Sequence, residues 1–258
     1  MGDHQSETDS LLIQVGADHC CYAFYDPSNR SFSQVSFISF EGIEAEEELP
    51  AVMARIRGDF KEVLVCAAFP EALLVPQKFA AAAESLCRVT YDDTARVPLK
   101  DSLPEWQLIT AYSLPLHLHK LLKERFASAN FFHAYTPALK VGNGFVNEDQ
   151  IDIYFTTRYF RVLVKQDHQL VLAQTYSYKT PLDVVYYLLK ICYEFGMEQS
   201  RTHVILSGLI DRDSALYEEL HHYFLNLNFV FDQGYKLPDT EYPHYYFTIL
   251  YYLASCVS

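Results

Sequence analysis

Asp211-Arg212-Asp213 places two carboxylates where side chains could hold a divalent cation. The three residues follow an apolar run at 203–207, and carboxylates at the end of a strand can bind metal through oxygen and activate water. The same residues suit a plainer task. They precede a helical stretch at 214–225, where acids offset the positive end of the helix dipole and an oxygen caps its free amides. Capping is the expectation. His117 and His119 fall in a helical stretch and point to different faces, and His221 and His222 are adjacent, so neither pair closes on one ion. Cys20 and Cys21 face opposite ways along a strand, and a thiol nucleophile needs a base that the sequence does not place beside it. The sequence holds no glycine-rich phosphate loop of the P-loop type, no dinucleotide fingerprint and no nucleophile elbow. No catalytic residue and no resident metal are expected.

The elements that would position such groups come in two matching sets. Residues 151–176 read as strands turning back on each other, rich in β-branched and aromatic side chains, with a turn at Gln166-Asp167-His168. Residues 11–40 read the same way, with a turn at Asp26-Pro27-Ser28-Asn29. In the first set the strands are followed by a helix at 43–57, begun or kinked at Pro50, a buried strand at 62–67, and an alanine-rich helix opened by Pro76. A short strand at 88–91, a weakly structured linker at 92–105, a strand at 106–112, an amphipathic helix at 114–129 and a strand at 131–135 complete it. Gly142-Asn143-Gly144 marks a boundary. The second set runs through strands at 151–178, a helix at 181–196, a strand at 203–207, the helix at 214–225 and a strand at 229–231. Corresponding elements are shifted by 136 (171 − 35), 138 (181 − 43) and 141 (203 − 62) residues. Duplication explains that near-constant offset.

Composition narrows the function classes. A formal charge of −13 disfavours nucleic acid as a partner, because phosphate must be met by clustered Lys and Arg. The six cysteines show no zinc-like spacing and sit mostly in apolar runs, as small buried hydrophobes of a reducing compartment do. The polar, acidic start at 1–10 reads as a disordered arm without a signal peptide, and a cytoplasmic location is expected. The aromatic stretch 242–257 reads as a helix, N-capped by Asp239 or Thr240, that is too short to span a bilayer.

Strands that form a meander and then cross over through a helix imply a mixed sheet, and two such units imply a cleft between them. This order of elements resembles the duplicated ribonuclease H-like fold of the actin-like ATPases, shared by actin, hexokinases and heat-shock chaperones. More narrowly, the chain from Leu11 onward resembles a family of uncharacterised bacterial proteins, typical of Bacteroides relatives, assigned that fold. The resemblance implies lobe I at 11–140, lobe II at 141–237 and a C-terminal helix at 238–258 returning to lobe I. Each lobe would be a mixed sheet with flanking helices.

The resemblance also implies three nucleotide signatures. The first phosphate loop would have an acid two residues before a glycine, and Gln14-Val15-Gly16 keeps the glycine alone. At an offset of 140 (154 − 14) the second loop falls on Tyr154-Phe155-Thr156, with neither residue; Asp152 offers an acid two positions earlier. The adenosine signature wants consecutive glycines, and Leu206-Ser207-Gly208-Leu209 has one. The expected ligand-binding positions, lining the cleft, are Gln14, Gly16, Asp152, Tyr154, Thr156, Gly208 and Asp211. Degenerate signatures imply a non-catalytic pseudo-ATPase that binds or assembles with a protein partner and uses no cofactor. The alternative is an ATPase or kinase of this class with atypical phosphate loops, using ATP and magnesium held by Asp152 with Asp211 or Asp213. A nuclease of the ribonuclease H type would need a basic rim, and the net charge counts against it.

Overall fold

The computed structural model describes residues 9–40, 45–91, 95–141, 149–231, 234–240 and 242–257. The glycine turn at 142–144 and most of the N-terminal arm lie outside them. Two compact units emerge: unit 1 comprises Met1–Asn143, Gly234–Thr240 and Ile249–Ser258, and unit 2 comprises Gly144–Gln233 and Glu241–Thr248.

Unit 1 opens with β1 (Ser10–Val15), β2 (His19–Asp26) and β3 (Ser31–Ser39), followed by α1 (Ala45–Arg55) and β4 (Glu62–Ala67). Ser10, read from the sequence as part of the arm, is the first residue of β1 and is buried. Helix α1 runs through Pro50 instead of starting there. An inserted section follows: β5 (Ala72–Pro76), a 3-10 segment at Gln77–Ala82, α2 (Ala83–Tyr91), β6 (Arg96–Leu103), β7 (Leu108–Pro115) and α3 (Leu116–Arg125). Then β8 (Asn130–His133) and α4 (Tyr135–Val141) close the run. The main sheet has the order β3-β2-β1-β4-β8, and the insertion forms a second sheet, β5-β7-β6. Strand β1 lies antiparallel to β2 and parallel to β4, with every residue buried. A central strand covered on both faces needs a near-continuous apolar run, and Leu11-Leu12-Ile13 with Val15 supplies it.

Unit 2 repeats the main sheet. It contains β9 (Gln150–Phe155), β10 (Tyr159–Gln166), β11 (Gln169–Ser177), α5 (Pro181–Phe195), β12 (His203–Gly208), α6 (Ala215–Tyr223) and β13 (Asn226–Phe229), in the order β11-β10-β9-β12-β13. Each pairing matches its counterpart in direction: β1·β2 with β9·β10, β2·β3 with β10·β11, β1·β4 with β9·β12, and β4·β8 with β12·β13. Even the irregularity repeats. The ladder shifts register between Phe24 and Tyr25 in one unit and between Val164 and Lys165 in the other, 140 residues apart (164 − 24). Helix α5 is specified locally by a capping box between Thr180 and Asp183, Pro181 at its first position, and Gly196 in the left-handed conformation at its end. Its buried side, Val184, Val185, Leu188, Ile191 and Cys192, packs with Ile151, Ile153, Phe155, Phe160, Val162 and Val164 of the sheet in one core.

Three readings of the sequence need correction. The stretch 92–105 is not a linker throughout, since β6 fills most of it; Pro98 is tolerated because β6 is an edge strand, paired only with β7. Residues 88–91 form the last turn of α2 and not a strand. Their β-branched side chains are overruled by Ala83 and Cys87, which bury against Val75, Ile109 and Ala111. The C-terminal stretch is a 3-10 turn at His244–Phe247 running into α7 (Thr248–Ala254), with Pro243 and not Asp239 or Thr240 at its start. Among the described residues no helix is long and apolar enough to cross a membrane.

Candidate functional site

In doubly wound sheets ligands gather at the carboxyl ends of the parallel strands, so the ends of β1 and β4 in unit 1, and of β9 and β12 in unit 2, are where side-chain chemistry counts. Gln14 lies on β1 between Cys21 of β2 and Cys66 of β4, in register with both. All three are buried. Burial pushes the Cys21 thiol well up, the neighbouring Cys20 pushes it further, and Cys20 itself is pushed up to about 12 by burial. A raised thiol and a neutral amide side by side offer a divalent cation no charge.

Two residues on, the Gly16 N–H donates to the His19 carbonyl at 2.9 Å. A side chain at Gly16 would meet the His19 ring, Cε1 at 3.0 Å and Nδ1 at 3.2 Å. That ring is anchored by the Asp18 carboxylate, Oδ1 to Nδ1 2.8 Å, and stacks on Phe37 at 5.6 Å. The acid nearest this loop is thus Asp18, buried and bound to its neighbour. Sequence reasoning missed the pair; its signal was an adjacent Asp and His in the turn between two strand-like runs.

In unit 2 the position matching Gln14 is Tyr154, in register with Arg161 of β10 and Ser207 of β12. The Arg161 guanidinium stands 5.0 Å from the Tyr154 ring centre, and both residues are buried. Asp152 is ion-paired with the buried Lys165, Nζ to Oδ2 2.9 Å, and its other oxygen accepts from the Gln150 amide. Thr156 closes the β9–β10 turn: its N–H donates to the Tyr159 carbonyl at 2.8 Å, and its hydroxyl accepts from the Tyr159 N–H at 3.2 Å. Ser207 donates to the Ile153 carbonyl at 2.9 Å.

Gly208 has a positive φ of 78°, and a Cβ there would fall 2.2 Å from the Phe155 carbonyl oxygen and 2.8 Å from its nitrogen. The end of β12 approaches β9 so closely that only glycine fits. Asp211 accepts from the Tyr246 hydroxyl at 2.5 Å, while its carbonyl accepts from the N–H and hydroxyl of Ser214, the residue that caps α6. The structure thus places Gln14 and Gly16 together at the end of β1, and Thr156 and Gly208 together at the ends of β9 and β12. Asp152 lies deeper in its strand than Tyr154, and Asp211 lies beyond the sheet. Among the described residues no three His, Cys, Asp or Glu side chains are grouped to hold a metal ion.

Comparison with known proteins identifies this architecture. A Bacteroides thetaiotaomicron protein with actin-like ATPase fold and unknown function superposes with a TM-score of 0.82 at 17% identity, over 100% of both chains. A chain of the PilM–PilN type IV pilus biogenesis complex superposes with a TM-score of 0.66 at 10% identity, covering 97% of this chain and 99% of that one. The ethanolamine utilization protein EutJ from Carboxydothermus hydrogenoformans follows at 0.51 and 7% identity, covering 97% and 90%. These likenesses show the fold, a duplicated actin-like ATPase fold. A search of curated proteins returned no match. The family model described as "Protein of unknown function (DUF3822)" matches residues 2–227, most of the chain, and this chain belongs to that family.

Proposed function

We propose that this protein is a non-hydrolysing member of the actin-like fold that works by binding or assembling with a protein partner. One observation carries the reading: at the strand ends where the fold takes phosphate and metal, the chain has no acid at Gln14 or Tyr154 and pairs the nearby Asp152 with a lysine. Gln14 lies between the buried thiols of Cys21 and Cys66, Tyr154 lies beneath Arg161, and Asp152 is ion-paired with Lys165. A magnesium ion needs oxygen ligands with free negative charge, and breaking the Asp152–Lys165 pair to supply one would strand a buried ammonium. The partner-binding half of the proposal draws on the PilM–PilN complex, whose name records a protein partner for a chain of this fold. We place the protein in the cytoplasm, a location supported by six free cysteines, five of them buried.

A second reading, nucleotide binding by atypical loops, draws on Arg161 and Lys165. These buried cations at the unit 2 strands could meet phosphate charge without a metal. In that reading Asp152, Tyr154, Thr156, Gly208 and Asp211 of unit 2 contact the ligand, and Gln14 and Gly16 are the corresponding positions of unit 1.

Calorimetric titration of the nucleotide-stripped protein with ATP, once with magnesium and once with a chelator, separates the two, alongside thermal unfolding in the same solutions. The proposal expects no heat and no midpoint shift at millimolar ligand. Saturable heat with a raised midpoint in either solution overturns it, since only a ligand preferring the folded state moves the transition.

A further inference from the structure

Helix α5 carries a second apolar stripe, most of it outside the core of unit 2. Away from its fully buried residues, Leu182 is 59% exposed, Tyr186 61% and Tyr193 84%, with Leu189, partly buried against that core, between the two tyrosines. The spacing is four, three and four residues, the seam of a two-helix contact and not a scatter of single apolar side chains. We infer that this seam binds a second copy of the same chain, α5 packing antiparallel against α5 about a two-fold axis.

The sequence of the seam favours its own reverse. With the axis between residues 187 and 188, Leu182 meets Tyr193 of the second copy and Tyr186 meets Leu189 of the second copy, so every contact sets a large ring against a branched aliphatic chain. Charge agrees with that register. Asp183 and Lys190 each follow a leucine of the seam, so Asp183 of one copy faces Lys190 of the other, twice over. Lys179, Asp183, Lys190 and Glu194 also leave the patch with no net charge, so the formal −13 of the whole chain is not concentrated where two copies meet. A two-fold contact of this kind closes on itself and yields a dimer, not a filament. A 15-residue helix is about 22 Å long, and one such seam buries less than the roughly 800 Å² per partner of a standard interface. The dimer should therefore be weak and concentration-dependent.

The test is sedimentation of the full chain across a concentration series, with cysteine cross-linking to fix the register. The wild type should pass from monomer to dimer as concentration rises, and Tyr186→Glu combined with Tyr193→Glu should weaken association at least tenfold. Both tyrosines are exposed, so the unfolding midpoint should stay in place. Lys190→Asp should weaken association while leaving the apolar seam intact. Under mild oxidation Leu182→Cys with Tyr193→Cys should form a covalent dimer, whereas Tyr193→Cys alone should match the wild type. Its mate across the axis lies about 16 Å away along the helix (eleven residues). A wild type that stays monomeric throughout, a dimer that survives the double glutamate variant, or cross-linking by Tyr193→Cys alone would each overturn the inference.

Discussion

The two units share a backbone plan and fill the same place with opposite chemistry. In unit 1 the central position of the sheet is a buried row of two thiols and an amide, Cys21, Gln14 and Cys66; in unit 2 it is Arg161, Tyr154 and Ser207, with a permanent positive charge against an aromatic face. One step deeper, Leu12 of unit 1 stands where unit 2 has Asp152, and Tyr25 stands where unit 2 has Lys165. The ladders, the register shift and the strand order are common to both. What two copies hold in common is therefore the hydrogen-bonded frame, and what they do not share is the chemistry at the strand ends. The outer edges differ as well. Strand β3 is joined by Lys236, through Phe32 N–H to the Lys236 carbonyl at 2.8 Å and Lys236 N–H to the Arg30 carbonyl at 3.0 Å. Among the described residues no strand pairs with the outer side of β11.

The glycines break the comparison most strongly. Gly208→Ala would drive a methyl group into the Phe155 backbone at 2.2 Å and place a side chain at positive φ, so β12 would have to separate from β9. The expected loss is about 4 kcal/mol or more in urea unfolding, at the upper end for single substitutions. Gly16→Ala meets the edge of the His19 ring at 3.0 Å and touches the Ala68 carbonyl oxygen at 3.4 Å, and a small ring displacement relieves the closer contact at a cost of about 1 kcal/mol. Equal losses would show that the two strand ends are held alike, contrary to the structure.

The ion pair in unit 2 comes next. Lys165→Met leaves Asp152 without its counter-charge in a partly buried position, and unfolding should show a loss of about 3 kcal/mol. Importing the solution of unit 1, Asp152→Leu with Lys165→Tyr, should recover most of that loss, because an apolar pair of similar volume needs no compensation. A double variant no more stable than Lys165→Met would mean that the pair is required for packing and not for charge balance.

The frame was readable from residue order because strands and their turns announce themselves locally. The alternation in residues 19–26 and 159–166, the Asp26 turn and the capping residues of α5 all act within a few positions. The inserted section was less legible. Pro98 reads as a strand breaker until β6 is seen to be an edge, and α4 holds Pro137 within a short buried turn whose support comes from elsewhere in unit 1. At the candidate site the roles of Gly208 and Asp152 depend on partners about 50 and 13 residues away, Phe155 and Lys165, which no spacing rule connects. Gly208 looks like a remnant of a nucleotide signature in sequence and is a packing necessity in space. Arg161 and Lys165 escaped notice because charges inside an apolar strand run read as its exposed face, and here both are buried.

The insertion that unit 2 lacks supplies an effect of the opposite sign. Asp101 on β6 is buried and accepts from the His133 N–H at 2.7 Å, the Thr136 hydroxyl at 2.6 Å and the Tyr112 hydroxyl at 3.2 Å. Burial pushes its carboxyl up to about 6, against the pull of those donors and of Lys140. A folded-state value above the unfolded one means that this group favours the native state below about 4, and that its contribution is lost as pH rises through about 6. Asp101→Asn keeps all three contacts, with the amide oxygen toward His133 and Thr136 and the amide nitrogen toward the Tyr112 oxygen, and it removes the buried charge. The variant should gain about 1 to 2 kcal/mol over the wild type at pH 7, and the gain should shrink toward zero as pH falls from 6 to 4. Urea unfolding of both proteins across that range measures it. A difference that stays flat with pH would mean that Asp101 is held ionised throughout, and its three donors would then outweigh its burial.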